Sequence, residues 1–261
     1  MLDNATRTAI ADELVEAAAT RTPVPLLTQR YPEMEVADSY AVQNIWKQRG
    51  EEAGRVVAGH KIGLTSKAMQ YATGITEPDY GVIFKDMVRE SGCVLNHADY
   101  TKPRVEMELA FLLKDDIEGP DATIFDVLRA TEYVVPALEI LDARVEMAGR
   151  TIVDTIADNA AMGLMVVGGS PVKPDAIDLR WVGGILSNNQ EIEETGVAAG
   201  VLGHPANGVH WLANRLSEHG DKLRAGEIIL AGSFTRPMWV QPGSTVSADY
   251  GQLGVVTCQF V

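Results

Sequence analysis

Cysteine is almost absent from this 261-residue chain, which holds only Cys93 and Cys258. Two thiols cannot build a four-cysteine zinc site, and without other signs of an oxidising compartment two buried free thiols are expected rather than a bridge. Histidine is scarce too: His60, His97, His204, His210 and His219 form neither HxxxH nor HExxH, which argues against a histidine-rich metal site. No apolar run approaches the roughly 20 residues that a membrane helix needs. The opening Met1-Leu2-Asp3-Asn4 lacks the basic-then-apolar layout of a signal peptide, so a cytoplasmic protein is expected. Basic residues are the minority, 22 Lys and Arg against 36 Asp and Glu, for a net charge of −14. Such a surface repels nucleic acid and anionic lipid, and neither is expected as a partner. An anionic small molecule would still bind a local positive cluster, which a metal ion supplies more compactly than surface lysines do. GxGxxG, GxxxxGK[ST] and GxSxG are all missing, so neither a nucleotide site nor a serine elbow is supported.

What remains is an ordinary globular composition, 46% hydrophobic and 22% charged, long enough for one large domain with an extension or two small ones. Residues 4 to 20 read as a helix that Asn4 can cap, with Ile10, Leu14, Ala17 and Ala18 as its apolar stripe and Pro23 and Pro25 beyond its end. A second helix is expected over 37–53, burying Ala41, Val42, Ile45 and Trp46, with Gly54 after it. The pattern then changes to strands, expected over 56–62, 105–113, 133–141, 163–168, 180–187, 190–195, 227–232, 244–250 and 254–260. Short helices are expected near 123–131 and from Pro205. A hairpin is read around Asn188-Asn189, and a turn over Tyr250-Gly251-Gln252-Leu253-Gly254. The pattern predicts an α+β fold: an N-terminal helical segment over 1–55 and a β-rich catalytic domain over 56–261.

The most informative stretch is Val105-Glu106-Met107-Glu108-Leu109-Ala110-Phe111-Leu112-Leu113. In a strand alternate residues share a face, so Val105, Met107, Leu109, Phe111 and Leu113 form a wholly apolar side. The opposite side begins with Glu106 and Glu108 and continues apolar. Either two glutamates are solvated at an exposed strand end, or a cation between them relieves their repulsion. Glu139 lies within Val134-Val135-Pro136-Ala137-Leu138-Glu139-Ile140-Leu141, an apolar run suited to a buried strand. A carboxylate there must be paired, protonated or metal-bound, and Arg144 is near enough in sequence to supply an ordinary ion pair. If the three carboxylates converge, they describe a hard oxygen site suited to Mg²⁺ or Mn²⁺.

Lys61 alternates with Val57, Gly59 and Gly63, and the small neighbours leave room for a ligand to approach its ammonium. It is either a surface lysine or a group that moves a proton or holds an oxyanion. Asp79, in Glu77-Pro78-Asp79-Tyr80-Gly81, is either turn chemistry or a catalytic acid. Asp158-Asn159 sits among Ile156, Ala157, Ala160 and Ala161 and reads equally as turn or site. Phe234 could wall a pocket, and Arg236 could meet a carboxylate or lie on the surface. Gly203-His204-Pro205 fits a tight turn into a helix.

These stretches together resemble the hydratase/decarboxylase branch of the fumarylacetoacetate hydrolase superfamily. The resemblance runs nearly end to end, through His60-Lys61-Ile62-Gly63-Leu64-Thr65-Ser66, Pro78-Asp79-Tyr80-Gly81, Pro103-Arg104-Val105-Glu106-Met107-Glu108, Pro136-Ala137-Leu138-Glu139, Asp154-Thr155-Ile156-Ala157-Asp158-Asn159-Ala160 and Leu202-Gly203-His204-Pro205. It implies a mixed β-sheet roll, a divalent ion on Glu106, Glu108 and Glu139, and catalysis by Lys61 and Asp79. By the same resemblance, Leu64, Asp158, Asn159, Phe234 and Arg236 are expected at the substrate. Within the branch, Glu194–Gly200 and Gly232–Pro237 are similar to hydratases of a seven-carbon unsaturated 2-oxo diacid, with Arg236 toward the distal carboxylate. The segment 145–153 is shorter than the branch leads one to expect. A homo-oligomer, a decamer, is implied, with association with enzymes of the same pathway. The alternatives within the resemblance are a 2-oxo-3-enedioate decarboxylase, an acylpyruvate-type hydrolase, or a catalytically silent partner of the decarboxylase.

Overall fold

The computed structural model describes every residue except 68, 69, 72 and 73. The chain opens with three helices: α1 (Asn4–Thr20), α2 (Leu27–Arg30) and α3 (Val36–Glu52). Strands β1 (Val57–Gly63), β2 (Asp79–Phe84), β3 (Val88–Glu90), β4 (Cys93–Leu95) and β5 (Arg104–Leu113) follow. Helix α4 (Ile124–Ala130) leads into β6 (Thr131–Leu141), and α5 (Ile152–Ala157) into β7 (Met162–Val167). The hairpin β8 (Gly183–Asn188) and β9 (Glu191–Val197) precedes α6 (Pro205–Ser217). The chain finishes with β10 (Ile228–Ser233), β11 (Met238–Trp239), β12 (Thr245–Asp249) and β13 (Val255–Phe260).

Among the described residues these strands form two mixed sheets. The larger runs β2-β1-β10-β5-β6-β7-β3 with β11 on the flank of β5, and the smaller runs β4-β13-β12-β8-β9. Most pairs are antiparallel, but β1/β10, β3/β7 and β4/β13 are parallel. The mixed-sheet α+β expectation is met.

The apolar side of β5 explains how the layers stack. Val105, Met107, Leu109 and Phe111 are buried in one cluster with Leu186, Val246 and Phe260 of the smaller sheet and with Val209 and Leu212 of α6. The other side of the larger sheet presents Ala110, Ala137 and Leu230 to a second cluster. That cluster is completed by Ile10 and Leu14 of α1 and Val42 and Trp46 of α3. The N-terminal helices therefore cover the face of the sheet that carries Glu106 and Glu108.

Local signals fix the helix ends. Asp3, not Asn4, caps α1 by accepting from the Thr6 N–H at 2.7 Å. Pro205 stands in the first turn of α6, and His204 Nδ1 accepts from the Ala206 N–H at 3.1 Å. The hairpin turn falls on Asn189 and Gln190, one residue later than expected. Both have positive φ (50° and 73°), as a two-residue hairpin of matching twist requires. Strands β2, β3, β4 and β11 and helices α2 and α5 were not anticipated. Every residue of β2 is buried, so it lacks the alternation by which a half-exposed strand is read. Cys93 and Cys258 are free and face each other across the β4/β13 register, but Cys93 is only half-buried. Among the described residues no helix is long and apolar enough to cross a membrane.

Because Leu14 is 1% exposed and packs against the glutamate-bearing face of the sheet, Leu14→Ala is expected to cost about 2–5 kcal/mol, as for a core leucine. Urea unfolding followed by fluorescence and circular dichroism should show one shifted transition. A loss below about 0.5 kcal/mol, the usual range for a surface change, would mark α1 as a loose appendage.

Candidate active site

Sheet register assembles the site. Glu106 of β5 stands directly opposite Glu139 of β6, and Glu108 lies one alternation further along the same face. Lys61 pairs in register with Leu230, and Leu230 with Ala110, so Lys61 projects to that face as well. Gly63 opposite Asp79 extends the same row on β1 and β2. Four strands thus deliver three glutamates, a lysine and an aspartate to one side of the sheet.

One carboxylate oxygen from each of Glu106, Glu108 and Glu139 lies within 4.8 Å of the others. Glu108 and Glu139 are fully buried, and Glu106 is 8% exposed. One oxygen of Glu108 accepts from the Gly232 N–H at 2.9 Å, while Oε1 has no hydrogen-bond partner. Glu139 Oε2 lacks one too. Lys61 Nζ stands 3.0 Å from Glu139 Oε1, a fully buried ion pair. Arg144, the partner the sequence offered for Glu139, is engaged elsewhere. Carboxylate oxygens left bare in a buried cluster are what a hard dication would coordinate, so the residues fit Mg²⁺ or a similar ion.

Electrostatics agree. Burial first, and then the Glu139 charge, push the Glu106 carboxyl up to about 8. Burial, Glu139 and Glu106 hold Glu108 well above the ordinary carboxylate range. Burial also raises Asp79, whose two oxygens have no hydrogen-bond partner. For Lys61 burial works downward, but Glu139, Asp79 and Glu108 outweigh it and hold the ammonium above its usual value. A side chain on Gly63 would strike Asp79 Oδ1 at 2.2 Å and meet Lys61 Nζ at 3.2 Å, so glycine is what lets these two groups share the space.

A cavity of about 210 Å³ opens over this cluster. Lys61, Asp79 and Glu106 line it, with Leu64, Arg104 and Arg150. Ala160 and Ala161 form part of its rim, and both are left-handed (φ 50° and 56°), as are Asn159 (φ 50°) and Leu64 (φ 57°). Such backbone costs about 1–2 kcal/mol per residue and persists only where its surroundings enforce it.

A family model described as "Fumarylacetoacetate (FAA) hydrolase C-terminal" matches residues 56–261. The 2-oxo-hept-4-ene-1,7-dioate hydratase of Escherichia coli is 48% identical over 267 residues, covering 100% of both chains. The chain belongs to the fumarylacetoacetate hydrolase family. The 2-keto-4-pentenoate hydratase of Paraburkholderia xenovorans is 40% identical, over 96% of this chain and 93% of its own. Among solved structures, 4-oxalocrotonate decarboxylase from Pseudomonas putida G7, complexed with magnesium and adipate, superposes with a TM-score of 0.97. It is 32% identical and covers 100% of this chain and 99% of its own.

Not every candidate from the sequence reaches the cavity of this family member. Asp158 is turned inward. Its carboxylate takes the Arg144 guanidinium through Nε and the Arg144 backbone N–H at 2.9 Å. Arg144 also donates to the carbonyls of Asp158 (2.6 Å) and Met162 (3.0 Å). Asn159 accepts from the Val82 N–H at 2.7 Å and donates to the Val82 carbonyl at 2.9 Å. Both residues brace the left-handed rim and present no polar atom to the cavity. Phe234 packs edge-on to Tyr250 at 6.1 Å, inside the sheet-to-sheet core. Arg236 points away, 74% exposed and paired with Glu194 at 2.7 Å. In its place stand Arg104 and Arg150, which sequence reasoning passed over. Arg104 was legible: it lies one alternation before Glu106 on the same face. Arg150, in the segment between β6 and α5, carried no local signal.

The raised carboxyls fix a pH response. Glu106 is protonated in the fold and ionised in the unfolded chain between its ordinary 4.5 and about 8, so without metal it removes stability as pH rises through that window. A bound dication needs the ionised form and releases the proton. The Mg²⁺-induced rise in melting temperature should therefore be larger at the upper end of that window than at the lower end. Calorimetry in two buffers of different ionisation enthalpy should report proton release on binding at neutral pH. A pH-independent shift with no proton release would contradict the cluster as the ion's seat.

Proposed function

We propose that this protein is a metal-dependent hydro-lyase that adds water to 2-oxo-hept-4-ene-1,7-dioate, or a close 2-hydroxydienoate, in aromatic-compound breakdown. The observation that carries the reading is one buried sheet face on which bare carboxylate oxygens adjoin a lysine and an unpartnered aspartate. The full-length 48% identity to the E. coli hydratase supports the substrate. Glu106, Glu108 and Glu139 would hold a divalent ion, Mg²⁺ or Mn²⁺, whose chemistry is to polarise the 2-oxo group and stabilise enolate charge. Lys61 or Asp79 moves the proton. A proton leaves C3 and is returned at C5, which moves the double bond from C4–C5 to C3–C4. That double bond is now conjugated with the 2-oxo group. Water then gives its hydroxyl to C4 and its second proton to C3, yielding the 4-hydroxy-2-oxo acid. Burial raises the Asp79 carboxyl, which favours its taking up a proton, while the Lys61 ammonium, held above its usual value, steadies negative charge beside Glu139. Leu64 and the left-handed rim shape the pocket around these groups. The protein is read as a homo-oligomer, a decamer by family resemblance; Trp181 (72% exposed) and Ile192 (65%) are large apolar side chains suited to a subunit contact.

A decarboxylase is the second reading, favoured by the 0.97 TM-score to 4-oxalocrotonate decarboxylase. Purified protein with Mg²⁺ is expected to consume 2-hydroxydienoates by ultraviolet absorbance without releasing carbon dioxide. Carbon dioxide from a 2-oxo-3-enedioate, with no hydration of the dienoates, would replace the hydratase by the decarboxylase.

Glu108→Gln should abolish metal-dependent turnover and Mg²⁺ binding while the circular dichroism spectrum is retained. Lys61→Ala should lower kcat by about 10²–10⁴-fold, the usual worth of a proton-transfer group, with a smaller effect on substrate binding. An undiminished kcat would remove Lys61 from the chemistry.

A further inference from the structure

Two guanidinium groups share the cavity with the carboxylate cluster; among the described residues Arg104 has no ion pair and Arg150 only a long one. Arg104 begins β5 on the face of Glu106 and Glu108. Its Nε is buried without a hydrogen-bond partner, and the guanidinium lies 5.4 Å from the Trp239 ring centre. No carboxylate of a described residue comes within 4.0 Å of it. Arg150 has a side chain only 14% exposed, and its Nη1 is buried with no hydrogen bond. The carboxylate paired with it is Asp158, at 3.8 Å, and that oxygen already accepts from the Arg144 N–H at 2.9 Å.

Two half-buried cations facing one space repel each other unless an anion lies between them. Neutralising the acids of the cavity does not require both: Lys61 already pairs with Glu139, a dication would answer Glu106 and Glu108, and Asp79 leaves one charge for a single arginine, the nearby Arg150. A guanidinium fork is the group best matched to a carboxylate. The spacing also suits a diacid. One strand alternation sets the Arg104 backbone about 6–7 Å beyond Glu106. Six carbon–carbon bonds in zigzag span about 7–8 Å.

We propose that Arg104 and Arg150 form the distal carboxylate subsite of the cavity, so that the enzyme selects dicarboxylates over monocarboxylates of equal length. This rests on the hydratase reading for the orientation of the 2-oxo end, and it moves the specificity role from Arg236 to the cavity pair. Arg236, tied to Glu194 at the surface, takes no part.

The test uses unreactive saturated probes, 2-oxoheptanedioate and 2-oxoheptanoate, titrated by calorimetry into the intact protein with Mg²⁺. The diacid should bind the native protein about ten- to a hundredfold more tightly, the worth of a charged hydrogen-bonded pair. Arg150→Met and Arg104→Met should each erase most of that preference while changing the monoacid affinity less than about twofold, a margin set against that same worth. Arg236→Met should leave the preference intact. Equal affinities for the two probes in the native protein would overturn the subsite without recourse to any variant. So would variants that lose Mg²⁺ affinity, measured without organic ligand, yet keep the preference, since the arginines would then serve only the cluster. The outcome is separable from the hydratase reading. Hydration of a monoacid dienoate with no diacid preference sinks the subsite alone, and a strong preference without hydration sinks the hydratase alone.

Discussion

Everything around the cavity follows from one electrostatic constraint: Glu106 and Glu139 stand opposite each other in a buried sheet, with Glu108 one step away. Two carboxylates within 4.8 Å repel by about 3–4 kcal/mol even at an effective dielectric constant near 20, before desolvation is counted. Like charges directly opposite across strands are unfavourable even at a surface. The chain meets this partly with Lys61 and partly with the Gly232 N–H that takes one oxygen of Glu108. The remainder falls on protonation or on a cation, and those two remedies compete for the same oxygens.

Much of the surrounding architecture secures that arrangement. The apolar side of β5 is anchored between the sheets, which leaves the glutamate side no freedom to rotate toward water. The N-terminal helices close that side with Leu14 and Trp46, far enough along the strands that the cavity stays open at its end. Glycine occurs where backbone must come close: a Cβ on Gly81 would strike the Asn159 carbonyl at 2.4 Å. The left-handed rim is the least favourable stretch of backbone at the site, and Arg144, Asp158 and Asn159 hold it through bonds that are all buried. These residues act on the pocket by fixing its wall.

The sequence was informative where a side chain's neighbours in the chain determine its direction. Alternation in β5 put Glu106 and Glu108 on one side, and the apolar run around Glu139 implied a buried strand, because both are local properties. Register is not local. That Glu139 faces Glu106 depends on how strands some thirty residues apart align, and no pattern within either strand states it. Around Asp79 the local pattern allows a turn as well as a catalytic acid, because Pro78 and Gly81 are turn formers, whereas tertiary burial makes the segment a strand. Asp158 and Asn159 drew attention as polar residues among apolar ones. That signal marks a buried hydrogen-bonding role as readily as a ligand contact, and in both cases it marked the former. Arg236 and Arg150 were beyond local reasoning in opposite ways, one leaving the pocket to meet Glu194, the other entering it from a loop.

The division within the cavity bears on how one scaffold serves more than one reaction. Relatives of this chain carry names for hydration and for decarboxylation, yet a decarboxylase shares its backbone at a TM-score of 0.97. A carboxylate cluster that activates a 2-oxo group favours loss or movement of any group whose electrons can flow toward that carbonyl. It does not by itself choose between a proton and carbon dioxide. The choice has to come from which group is held over the carbonyl and from where a proton or water can be delivered. On the proposed reading delivery would belong to Lys61 and Asp79, one alternation apart on neighbouring strands, and holding to Arg104 and Arg150, which line the same cavity. A change in either pair would then alter the reaction or the substrate while leaving the glutamates, and the fold that bears their repulsion, as they are.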